Sequence, residues 1–145
     1  MQKETVGHPL WVVAVVATVG GVVANLLVLL LTKPLAPDFL SLTAFPVIFW
    51  TVIAGVGASV VFALTRKYAR NPQRTFIRIA IAALLLSFLM DIPLFFYDIT
   101  FFAGATAGGI WALMSMHVVI AAVIVPALVR FARPAPERSS ERLSL

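Results

Sequence analysis

Asn25, Asp91 and His117 are the strongly polar residues that stand well inside otherwise apolar runs, and any chemistry in this chain would start from them. His117 sits in the middle of ALMSMHVVIAAVIVPAL, and Asp91 interrupts the apolar stretch from Ile79 to Tyr97. A carboxyl group and an imidazole brought together can share a proton. A carboxamide beside them can bridge, donating to one and accepting from the other. Ser87 precedes Asp91 by four residues, so both fall on one face of a helix. Asn25, Ser87, Asp91 and His117 are therefore the candidate polar cluster, read either as a structural clamp or as a small-molecule or proton site.

Other chemistries lack their residues. There is no cysteine, which excludes disulfides, zinc–thiolate sites, iron–sulfur clusters and thiol catalysis. No Walker loop, Gly-rich dinucleotide loop, HExxH motif or nucleophile–base arrangement occurs. Ser115 lies two residues before His117 and so points elsewhere on a helix. Met114 shares a face with His117, and Met90 precedes Asp91, a pattern open to copper. Methionine in an apolar helix is more often filler, however, and no metal or cofactor is expected. The chain reads as non-enzymatic.

Whether the polar residues meet water depends on the elements that carry them. Of 145 residues, 61% are hydrophobic and 12% charged, with a mean hydropathy of +1.03. Soluble domains carry roughly 25% charged residues. A globule of this length keeps too much surface for its volume to hide so much apolar area, so the expected solvent is lipid. A crossing helix needs about 20 apolar residues for roughly 30 Å of hydrocarbon. Four segments qualify, at about 10–32, 45–65, 76–97 and 106–129. The third is decisive for Asp91. Ile79 to Met90 is only 12 residues, about 18 Å of helix, so the span must carry Asp91 into the membrane. The first run is too long for a signal peptide and no A-x-A site follows it, so it reads as retained.

Charge sets the expected orientation. Arg66, Lys67, Arg70, Arg74 and Arg78 lie between spans two and three. Arg130, Arg133, Arg138 and Arg142 follow span four, and Lys3 precedes span one. All of these fall on one side of a four-span chain, and Lys33 alone falls on the other. The positive-inside rule makes the crowded side cytoplasmic. The expected fold is thus all-α, an integral four-helix antiparallel membrane bundle with both termini in the cytoplasm. Residues 1–9 form a cytoplasmic segment, 10–132 the membrane domain and 133–145 a flexible tail rich in Pro, Ser and charge. The expected location is the plasma membrane, crossed several times. The five loop cations are expected to touch anionic lipid headgroups. Without a basic face on a folded domain or interleaved aromatics, no nucleic-acid partner is expected. Other membrane proteins or a second copy of the chain are the partners open to it.

Each span also carries a small or polar stripe at helical spacing: Thr18, Gly21, Asn25 and Thr32; Thr51, Gly55 and Ser59; Ser87, Asp91 and Asp98; Gly109, Leu113, His117 and Ala121. Such stripes are what helices pack with in lipid. Counting 1.5 Å per residue sets Asn25 and Asp91 at one level of the outer half, with His117 about one turn deeper. "PVIFW" and "PLFFYDITFF" read as an outer aromatic belt, with Trp11 its inner counterpart. In "RNPQR", Asn71 is positioned to cap the third helix and Pro72 to open it. Pro126 reads as a kink or terminator. Two functions follow. One is a scaffold or accessory subunit with a dry, satisfied polar cluster. The alternative is a small carrier or proton-linked binding protein that uses Asp91 and His117 in a wet cavity.

Leu113, Met116, His117, Ala121, Pro126 and Leu128 carry a further signal: Met-His in mid-span, an Ala-rich aliphatic run, Pro-x-Leu, then arginine. This span resembles the last helix of a family of small four-helix bacterial membrane proteins of unknown function. The length, the four spans and the basic middle loop fit the same family. The resemblance implies the architecture and singles out Met116 and His117, and it brings no activity with it.

Overall fold

The computed structural model describes residues 8–97 and 99–132. Long Val, Ala and Leu runs form helices here because lipid offers the backbone no hydrogen-bond partners, so each segment must satisfy its own. There are four: α1 (Leu10–Thr32), α2 (Ala44–Tyr68), α3 (Pro72–Asp91) and α4 (Ala107–Phe131). All four are long and apolar enough to cross a membrane.

The ends of these helices depart from the expected spans for local reasons. α2 runs on to Tyr68 and takes Arg66 and Lys67 into its last turn, where cations meet the negative end of the helix dipole. α3 starts at Pro72, in the first helical position as expected, but Asn71 makes no side-chain cap. The α-helix then stops at Asp91 and tightens into a 3-10 turn over Ile92–Phe95. Pro93 brings no N–H to continue the α-helical ladder. Asp91 therefore closes α3 instead of lying in mid-helix. Pro126 does not terminate α4, which continues to Phe131. Asp98, the outermost residue of the third polar stripe, and the terminal segments up to residue 7 and from 133 onward lie outside the described residues.

α1 packs along α4 and α2, and α3 packs along α2 and α4. The start of α1 meets the end of α4, with the His8 N–H donating to the Phe131 carbonyl at 3.1 Å. Near this end, Val13, Ala17, Phe62, Phe76, Ile124 and Leu128 form one apolar core. Phe62 and Phe76 meet edge to face there, joining α2 to α3. A second core lies at the far end, under the loops, and gathers Ala36, Phe39, Leu42, Val47, Ala112 and Met116. Thr106 caps α4 by accepting from the Gly109 N–H at 3.1 Å, and it donates to the Leu35 carbonyl at 2.9 Å, which ties the start of α4 to the end of α1. Outward-facing residues such as Trp11, Leu31, Leu86 and Trp111 are exposed, as a helix wetted by lipid tails allows.

α3 is the least embedded helix. Phe76 and Asp91, near its two ends, are its buried residues. Between them Ala80, Leu84, Ser87 and Phe88 are only half-buried.

Candidate functional site

Asn25 and Asp91 are 4% and 6% exposed, and they face a common cleft of about 740 Å³. That is within the usual size range of small-molecule pockets. Its floor is Asn25, Thr51, Met116 and His117, and Leu40, Ser41 and Thr43 close the loop end. α3 contributes Asp91 and no other residue to the lining. Phe45, Phe49, Trp50 and Ile53 of α2 form one wall, yet each remains exposed on the molecular surface. The cleft is therefore open sideways, where α2 and α3 part company. A smaller hollow of about 220 Å³ beside Phe95 and Ile110 has no buried polar side chain on its wall.

Three of the four sequence candidates come together. His117 Nδ1 lies 3.4 Å from Asp91 Oδ2, so the two helices have closed the one-turn offset in depth read from the sequence. That separation is within ion-pair reach but too long for a good hydrogen bond. The Leu113 carbonyl is nearer, 3.0 Å from the same nitrogen, and it takes the Nδ1 hydrogen. Asp91 Oδ2 is left without a hydrogen-bond donor. Asn25 does not bridge the pair as expected. Its Nδ2 donates instead to Thr51 Oγ1 at 3.0 Å, and its Oδ1 also has no donor. Ser87 does not join the cluster, because its hydroxyl donates to the Leu84 carbonyl of its own helix at 2.7 Å.

The basic group lies elsewhere, at the end of the bundle where the start of α1 meets the end of α4. Arg66 is half-buried over the Phe62 ring, 6.0 Å from its centroid. Lys67 lies 5.1 Å from the Tyr68 ring, and Lys67, Arg70, Arg74 and Arg78 are exposed. Met90 is exposed on α3, and Met114 is not among the residues that line the cleft.

Sequence reading placed Phe49 and Trp50 in an interfacial belt and missed them, together with Phe45, as a cleft wall. The signal was present in part: Phe45, Phe49 and Ile53 recur every four residues, along one helix face. Thr51 was read as a packing residue and is also the partner of Asn25.

Four apolar helices around a cleft floored by buried polar groups define a multi-pass membrane protein of the four-helix type. The chain belongs to a family of unknown function (DUF6069), whose model matches residues 5–134. No curated protein matches the chain, and no solved structure does.

Proposed function

We propose that this chain is a non-enzymatic protein of the bacterial plasma membrane that binds a small amphiphilic molecule in the cleft between α2, α3 and α4, as a carrier or binding protein. The observation that carries this reading is the pair of buried oxygens, Asn25 Oδ1 and Asp91 Oδ2, that have no hydrogen-bond partner and belong to residues lining the cleft. A buried acceptor without a donor costs about 1–3 kcal/mol, more when charged. A scaffold or accessory subunit has no use for that cost and calls for a dry, fully paired cluster. A binding protein recovers it when ligand arrives.

The lateral opening favours entry from the lipid. With both termini in the cytoplasm, as the charge asymmetry favours, the cleft lies in the outer half of the bilayer and the cations of the α2–α3 turn meet anionic headgroups on the inner face. The test compares wild type with Ala54→Phe, which puts a ring into the cleft from an exposed lining position. Material extracted from protein purified in mild detergent is identified by mass spectrometry. A small amphiphile carried by wild type and lost from Ala54→Phe, at unchanged melting temperature, is the expected result. Wild type that carries nothing, and that no amphiphile stabilises, would overturn the reading.

A further inference from the structure

We infer that the ligand of this cleft is a lipophilic primary ammonium ion, with its head on Asp91 and Asn25 and its apolar body along Phe45, Phe49 and Trp50. This rests on the binding reading above and adds the chemistry of what is bound.

Hydrogen-bond inventory comes first. Among the described residues the unpaired buried side-chain atoms are the Asn25 amide oxygen and an Asp91 carboxyl oxygen, both acceptors when Asp91 is ionised. The Asn25 amide N–H is spent on Thr51, and the His117 Nδ1 hydrogen is spent on Leu113. A carboxylate or phosphate head would bring acceptors to acceptors. A hydroxyl has one hydrogen to donate and leaves one of the two unpaired. An ammonium carries three donors and no acceptor, enough for both atoms.

Charge points the same way. Asp91 and His117 are the ionisable side chains in the lining, which contains no Lys or Arg. A carboxyl group held inside a membrane span either keeps its proton or pairs with a cation, and His117 at 3.4 Å, bonded elsewhere, is a poor partner. Charge-assisted hydrogen bonds are roughly twice as strong as neutral ones. The wall is aromatic where such a molecule would enter. Phe45 and Phe49 stack at 6.0 Å, and Phe49 meets Trp50 edge to face at 5.3 Å. Ring faces of this kind attract organic cations as well as apolar bodies.

The experiment uses the full chain in uncharged detergent and three probes that share one body: 4-phenylbutylamine, 4-phenylbutanol and the N,N,N-trimethyl form of the amine. Binding is measured by titration calorimetry against empty micelles. The amine is expected to bind at least about tenfold more tightly than either analogue, a difference of about 1.4 kcal/mol. Asp91→Asn should abolish its advantage over the alcohol. Ala54→Phe, which leaves Asp91 in place, should weaken the amine even if Asp91→Asn proves too unstable to assay. An alcohol that binds as well as the amine would overturn the cation while leaving a binding cleft. A trimethyl form that binds equally well would overturn the hydrogen-bonded head. No binding by any probe would overturn the inference outright, and the Ala54→Phe comparison of co-purified material would still decide the binding proposal on its own.

Discussion

At the residue scale the central fact is how His117 is held. The Leu113 carbonyl can only accept, so the bond it makes takes the Nδ1 hydrogen. Bonded back to its own helix, the ring stands beside Asp91 without gripping it. A locked buried pair loses about 3–5 kcal/mol when one partner is removed. A pair this loosely joined should show much less. In a double-mutant cycle of Asp91→Asn and His117→Gln, read by thermal unfolding in detergent, the expected coupling is below about 1 kcal/mol. Coupling of about 3 kcal/mol would make the pair a structural clamp and remove the reason for the cleft to hold an unpaired acceptor.

At the element scale the bundle depends on how closely α1 approaches α2. A Cβ placed on Gly55 would lie 2.8 Å from Thr18 Cγ2, so glycine is what lets the two helices touch there. One turn toward the loops, the same contact seats the Asn25–Thr51 hydrogen bond. This is the small-residue packing that replaces the hydrophobic effect between helices in lipid. Gly55→Ala should therefore overpack the contact and cost about 1–3 kcal/mol. Gly57 supplies the control, because a Cβ there meets nothing within 4 Å. Gly57→Ala should melt at or above the wild-type temperature, since alanine is the better helix former by about 1 kcal/mol. Equal behaviour of the two variants would mean that α1 and α2 do not cross at Gly55.

At the scale of the whole molecule, the two ends of the bundle differ in kind. One gathers the start of α1, the end of α4 and the α2–α3 turn with its cations, and the other carries the loops that close the cleft. The orientation of this asymmetry in the membrane decides which half of the bilayer the cleft samples. The chain has no cysteine, so single-cysteine variants report sidedness without background. Asp38 and Asn71 are exposed in the turns at opposite ends. On intact cells, a membrane-impermeant maleimide should label Asp38→Cys and spare Asn71→Cys until the membrane is opened. The reverse pattern would invert the proposed orientation, and equal labelling of both would contradict four crossings.

The amino-acid sequence alone determined the four helices and the pairing of their ends, because both follow from one-dimensional quantities. An uncharged run of some twenty residues must cross or be buried, and a charge run at every second turn marks one side. The bounds of α1 at Leu10 and Thr32 were legible for that reason. The nearness of Asp91 and His117, 3.4 Å apart, was legible from the same counting. What only the tertiary structure decided is rotation and gap. A shift of one residue turns a helix face by about 100°, which composition does not register. That is why Asn25 meets Thr51 instead of the pair, and why Ser87, four residues from Asp91, bonds to its own helix. The cleft itself was not legible, because α3 brings Asp91 alone to a lining otherwise drawn from α1, α2, α4 and the loops. With lipid as solvent no free-energy penalty marks the apolar residues that are left outside.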